Sequence, residues 1–241
     1  MGLCLINHCF SQVNIEKFRG STLQGNLTAI NSRYFNISAS AIRSTSSMYN
    51  VGFSYFTPVD LYESVESFLI SKVKYSRKDS EAYDKDYFFH FRVLSKEKFF
   101  NFYPESFFQY EKNNSSLTSL RYLAGIGARY SFYDGFIFGT SILNEWYKEV
   151  GSNSKTSVWR LSQYVKATLT LSQFNRINFT CYVQPKVINF SNIRYFGELN
   201  LVNQLTQSIS YSSSLTMKYF SKSEEFSEVE LFFNSGIQVK L

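Results

Sequence analysis

From about Phe68 to the C-terminus, apolar and polar residues alternate with a period of two, and helical spacing accounts for none of it. This alternation commits segment after segment to an extended strand with one apolar and one polar face. In Val229 to Leu241 the odd positions include Val229, Leu231, Phe233, Ile237, Val239 and Leu241, while Glu230, Asn234, Gln238 and Lys240 stand between them. In Ser208 to Phe220, Ile209, Tyr211, Leu215, Met217 and Tyr219 oppose a row of Ser, Thr and Lys. Ten such segments follow one another: Val65 to Ser76, Tyr83 to Leu94, Pro104 to Glu111, Arg121 to Phe132, Phe136 to Lys148, Ser157 to Ser172, Arg176 to Lys186, Ile193 to Leu205, Ser208 to Phe220 and Glu228 to Leu241. Most are as long as the ~9–11 residues that cross a bilayer as a tilted strand, or longer.

Three further segments precede them, near Leu23 to Ile30, Tyr34 to Arg43 and Tyr49 to Phe56. A single-chain barrel with both ends on one side needs an even number of strands. Omitting the first segment gives twelve, with Arg43 to Met48 as an outer loop and Pro58 to Glu63 as a return turn. Fourteen is the alternative, if the N-terminal stretch supplies two more. The connections suggest two unlike rims. Tyr133-Asp134-Gly135, Gln173-Phe174-Asn175 and Thr206-Gln207 are short, whereas Lys112 to Leu120, Glu149 to Thr156, Val187 to Asn192 and Ser221 to Ser227 are longer and polar. Ser95 to Tyr103 is the exception, long where a short turn is expected.

Soluble antiparallel sandwiches alternate as well, so composition has to decide between the two settings. Aromatic residues make up 19% of the 241 and gather near strand ends, as at Tyr122, Tyr130, Phe132, Phe136, Trp146, Tyr147, Trp159 and Tyr219, where an interfacial girdle would use them. Only 11 Gly and 3 Pro are present, too few for a fold built on many tight turns. No apolar run approaches the ~18 residues of a membrane helix, so a membrane chain of this kind must be a barrel. The expected fold is therefore all-β: an up-and-down antiparallel transmembrane barrel. The net charge of +6 comes from scattered residues, and no nucleic-acid partner is expected.

Residues 1–12 resemble the end of a secretory signal peptide with cleavage near Ser11, residues 13–33 read as an extension or extra strand, and 34–241 as one barrel domain. Cleavage there would remove Cys4, Cys9 and His8, leaving Cys181 unable to form an internal disulfide and His90 as the sole histidine.

Three runs carry a family resemblance: His90-Phe91-Arg92, Glu105-Ser106-Phe107-Phe108-Gln109, and the stretch from Arg121 through Leu123, Gly125 and Gly127 to Arg129. With their E-x-F-x-Q and R-x-L-x-G-x-G-x-R spacing they resemble the salt-induced outer-membrane proteins, an uncharacterised family. The resemblance implies a single barrel of the bacterial outer membrane, surrounded by lipid and lipopolysaccharide and inserted by the barrel-assembly machinery. It implies no activity. Leu241 departs from the pattern, because such barrels usually end in an aromatic residue.

The polar members of these runs share one face, which lines the lumen of an outer-membrane barrel. His90 and Arg92 lie on one strand, Glu105, Gln109 and Glu111 on the next, and Arg121 and Arg129 on the third. Antiparallel pairing is expected to bring Arg92, Glu105 and Arg129 level near the periplasmic rim, and Glu111 opposite Arg121 near the outer one. Such a cluster either sets which small solute or ion passes or neutralises itself as buried ion pairs. Equal and opposite charges at one depth leave little field, which favours neutralisation. Gly125 and Gly127 on the same face are expected to make room for bulky neighbours.

Catalysis is not expected. His90 would be the only base and stands beside Arg92, no G-x-S-x-G elbow is present, and Glu105 and Glu111 fall ~20 Å apart along one strand. Neither metal-ligand spacing nor a cofactor motif appears. The remaining roles are a narrow channel with a charge-paired lumen, a structural envelope barrel, an adhesion protein working through loops such as Lys112 to Ser116, or a soluble barrel whose apolar face surrounds a hydrophobic ligand.

Overall fold

The computed structural model describes residues 33–43, 47–59, 61–78, 81–112, 118–133, 135–149, 154–223 and 226–240. The signal-peptide expectation for residues 1–12, the segment Leu23 to Ile30 and most of the Lys112 to Ser116 loop lie outside them. The chain forms twelve strands: β1 (Tyr34–Arg43), β2 (Ser47–Val59), β3 (Val65–Lys78), β4 (Glu81–Ser95), β5 (Tyr103–Lys112), β6 (Thr118–Tyr133), β7 (Phe136–Glu149), β8 (Lys155–Thr170), β9 (Asn175–Pro185), β10 (Ile193–Gln204), β11 (Ile209–Ser223) and β12 (Phe226–Lys240). Each pairs antiparallel with its chain neighbours, and β1 pairs with β12 to close the barrel. Closure leaves no sheet edge, which a hydrocarbon surrounding requires. No described helix is long and apolar enough to cross a membrane.

The period-two pattern sets which way each side chain points. On β11, Ile209, Tyr211, Leu215 and Met217 are exposed on the outside, while Ser212, Ser214, Thr216 and Lys218 are buried inside. On β12, Val229, Leu231, Phe233 and Ile237 are exposed. Tyr122, Phe132, Phe136, Trp146 and Trp159 also face outward. Tyr147 departs from the expected girdle: it shares the parity of the buried Leu143 and Glu145 and stands opposite Arg121. An apolar outside around a charged inside is the reverse of what a soluble carrier of a greasy ligand needs.

The expected difference between the rims is absent. One rim carries connections 44–46, 79–80, 113–117, 150–154, 186–192 and 224–225, and the other carries 60–64, 96–102, 134–135, 171–174 and 205–208. Both sets run from two to seven residues, because strands such as β6, β7 and β11 extend into what read as loops. The first is called the upper rim here, and the second, which also holds the start of β1 and the end of β12, the lower rim.

Turn chemistry stops the strands on the lower rim. Gly135 has φ +87°, and its carbonyl accepts the Thr168 N–H at 2.7 Å, so close that a Cβ at Gly135 would stand 2.6 Å from the Thr168 oxygen. Ser172 Oγ accepts the N–H groups of Phe174 and Asn175, and Thr206 Oγ1 those of Ser208 and Ile209. The long 96–102 joint contains a hairpin of its own. Phe99 and Phe102 bridge each other across Phe100 and Asn101, whose φ values of 48° and 69° are those of a type I′ turn.

The interior is not polar throughout. Phe56, Phe68, Ile70, Phe88 and Leu94 cluster on the inner face of β2 to β4, and Tyr164, Tyr182 and Phe196 form a second apolar group on β8 to β10. Strict apolar-out alternation fails on these strands because aromatic side chains fill the inner wall.

Candidate functional site

Period-two parity places every predicted inner residue inside. His90, Arg92, Glu105, Gln109, Glu111, Arg121 and Arg129 are all buried. His90 lies among the rings of Phe68, Phe88 and Phe107, with centroids 6.3, 6.4 and 6.1 Å away. Arg92 Nη2 lies 3.7 Å from Glu105 Oε1, although Glu105 pairs with Leu94 and the two charges meet diagonally. Arg129 is not level with them. Register sets it opposite Tyr103, two residues from the Glu105 and Gly127 pair, and its guanidinium sits 5.9 Å from the Tyr103 ring centroid. The expected Arg92, Glu105 and Arg129 layer is therefore one ion pair with an arginine displaced toward the lower rim. Among the described residues no carboxylate salt-bridges Arg129. Glu111 and Arg121 are direct partners, with Oε2 and Nη1 3.5 Å apart.

Sequence reasoning missed the centre of the upper half. Glu145 on β7 is fully buried and holds three arginines. Its Oε1 accepts from Arg121 Nε at 2.6 Å and from Arg194 Nη1 at 2.5 Å, and its Oε2 accepts from Arg160 Nε at 2.9 Å. Arg160 also donates to the carbonyls of Gln184 and Asn192 and to Asn192 Oδ1, which ties the hub to the 186–192 connection. The signal was available: Glu145, Arg160 and Arg194 have inward parity on their strands, but they lie outside the runs that carried the resemblance.

Two contacts cross the lumen instead of following the wall. Arg194 on β10 reaches Glu145 on β7. Nearer the lower rim, Arg92 on β4 stacks over Tyr164 on β8, its guanidinium carbon 5.9 Å from the ring centroid. Between these levels lies a cavity of about 30 Å³, touched by Arg92, Gln109, Arg121, Tyr164 and Gln184. That space holds about one water molecule. Glycines permit the crowding. A Cβ on Gly139 would strike the Tyr164 ring, and one on Gly125 would come within 2.5 Å of Phe107. Gly125 and Gly127 do sit under neighbouring groups, Phe107 for the first and Thr140 and Ser141 for the second.

By strand parity, Lys72, Lys74, Arg92, Arg121, Arg129, Arg160, Lys166, Arg176, Arg194, Lys218 and the rim residue Lys240 are among the described cations on the inner face, and Glu66, Asp86, Glu105, Glu111, Glu145 and Glu198 are among the described carboxylates there. No group of three or more His, Cys, Asp or Glu among the described residues is placed to hold a metal ion.

No protein-family model matches the chain. No curated protein matches it either. Solved structures do. The NanC porin superposes with a TM-score of 0.53 at 12% identity, over 87% of this chain and 100% of that one. The KdgM porin gives 0.51 at 11%, over 87% and 99%. A second KdgM structure, in complex with disordered oligogalacturonate, gives 0.50 at 11% over the same shares. The chain thus has the closed twelve-stranded antiparallel barrel of porins, and at this identity the likeness extends to the fold alone.

Proposed function

We infer that this chain is a narrow channel of the bacterial outer membrane, closed at rest by its own side chains and biased toward anions. The observation that carries this reading is the arginine hub in the upper lumen, where Arg121, Arg160 and Arg194 converge on the one buried carboxylate of Glu145. Fixed charge in a low-dielectric tube concentrates counter-ions, so a hub of this kind favours anions. The apolar outside and the fold shared with NanC and KdgM support an outer-membrane location, with lipid and lipopolysaccharide around the wall and the barrel-assembly machinery as the route of entry. The oligogalacturonate of the KdgM complex, a chain of carboxylate-bearing sugars, belongs to the class of solute such a lumen attracts. The resemblance to the salt-induced outer-membrane proteins rests on the three short runs and adds a location.

Single-channel recording of the refolded barrel in a planar bilayer tests this. Small reproducible steps are expected, with a reversal potential in a salt gradient on the anion side and closer to zero in Arg129→Ala. A second reading, a structural envelope barrel, is favoured by the inner aromatic cluster and the one-water cavity. It predicts an inserted, folded and silent protein.

A further inference from the structure

Glu145 gives the upper half of the lumen a feature that simple charge neutralisation does not require. One carboxylate, fully buried, takes hydrogen bonds from three guanidinium groups on β6, β8 and β10. The next carboxylate, Glu111, salt-bridges Arg121 at 3.5 Å and lies within the field of Lys218. All three arginines are oriented toward the single pair of Glu145 carboxylate oxygens. Arginines are well suited to this, since the planar guanidinium offers paired donors that fit a carboxylate or phosphate. The cluster is within reach of solution. Arg194 is 14% exposed, it supplies the bond across the lumen, and it is the second residue of β10 after the upper-rim connection 186–192. Arg160 is tied to Asn192 of the same connection, so movement of that segment acts on two of the three arginines.

We propose that Glu145 is a built-in stand-in for a carboxylate-bearing solute. At rest it holds Arg121, Arg160 and Arg194 together and closes the lumen. A permeating carboxylate displaces it from Arg194 first, then from the inner pair, so that Glu145 sets both the affinity for the solute and the closed state. This deepens the channel reading and rests on it for the permeation step, but the binding step stands without conduction.

The test uses the full barrel refolded in detergent and in planar bilayers, with sodium glucuronate as the probe and glucose as the uncharged control. Calorimetric titration of the wild type should show saturable glucuronate binding in the millimolar range and none for glucose. No binding up to about 100 mM, where a free energy of only ~1–2 kcal/mol would be missed, overturns the proposal whatever the variants do. Glu145→Gln keeps the shape of the side chain and removes the competitor, so glucuronate should bind at least about tenfold tighter. In bilayers the same variant should be blocked at correspondingly lower concentration. Arg194→Gln should weaken binding by about tenfold or more, and it keeps the proposal testable if Glu145→Gln does not fold. Folded variants with unchanged glucuronate affinity overturn it. If the barrel conducts but ignores glucuronate, the inference falls and the channel reading survives. If it is silent yet Glu145→Gln tightens glucuronate binding, the channel reading falls and the Glu145 site stands.

Discussion

At the scale of single residues, parity and neighbouring-strand pairs such as Glu111 with Arg121 were legible, and contacts between distant strands were not. Alternation along β4, β5 and β6 is enough to put Arg92, Glu105 and Arg121 inside. It does not reveal that Arg92 lies over Tyr164 four strands away, because that contact depends on how the closed wall brings distant inner faces together. The same limit hid part of the Glu145 hub. Arg121 and Arg160 reach it diagonally from the neighbouring strands β6 and β8, and Arg194 on β10 reaches it only because the wall curves. The energetic consequences differ sharply between two buried charges. Removing Glu145 leaves three guanidinium groups facing one another, so Glu145→Ala should cost about 3–5 kcal/mol, read as a lower urea midpoint for the folded barrel. Arg129 salt-bridges no carboxylate among the described residues, and replacing it by Met keeps an apolar stem against Tyr103. Arg129→Met should therefore leave the midpoint unchanged or raise it. The glycines give a second contrast. Gly139→Ala forces the Tyr164 ring off β7 and should cost about 1–3 kcal/mol, as overpacking does. Gly197→Ala is the control: a Cβ there meets nothing within 4 Å, and the midpoint should barely move.

At the scale of the element, strands were read correctly in number and nearly in extent, while connections were misjudged for identifiable reasons. Ser172 read as the last residue of a strand, yet its hydroxyl captures the amides of Phe174 and Asn175 and ends β8 at Thr170. In the other direction, β6 begins at Thr118 and β11 runs to Ser223, because Ser, Thr and Lys are tolerated on a strand near the rim even though they read as loop. The 96–102 joint was anomalous in length because it folds as its own small hairpin. It places Phe99, Phe100 and Phe102 on the surface at the lower rim, with Phe102 against Tyr130. Type I′ turns want Asn or Gly at their left-handed positions, and Asn101 satisfies this where Phe100 does not. Phe100→Gly should thus relieve strain of about 1 kcal/mol and raise the urea midpoint slightly. A fall of similar size would instead mean that the exposed ring, through its contact with Phe99, contributes more than the backbone loses.

At the scale of the whole molecule, period two and strand count lead to a closed barrel, and closure also creates its weakest line. The β1 to β12 seam is the pairing most distant in sequence, joining Tyr34–Ala39 to Ser235–Lys240 among the described residues. By contrast, β6 and β7 pair from Thr118 with Glu149 down to Tyr133 with Phe136 around a short turn. Local opening follows the regions with the fewest supporting bonds, so the seam should open first. Amide hydrogen exchange on the folded barrel should be faster in β1 and in the facing half of β12 than in β6 and β7. A cross-link separates this from ordinary end fraying. Asn36 and Gln238 are direct partners on the inner wall, and Asn36→Cys with Gln238→Cys, oxidised, would fasten the seam midway along its paired length. If opening starts there, the cross-link slows exchange across all of β1, and reduction restores it. If β1 merely frays from its ends, exchange slows only beside the new bond.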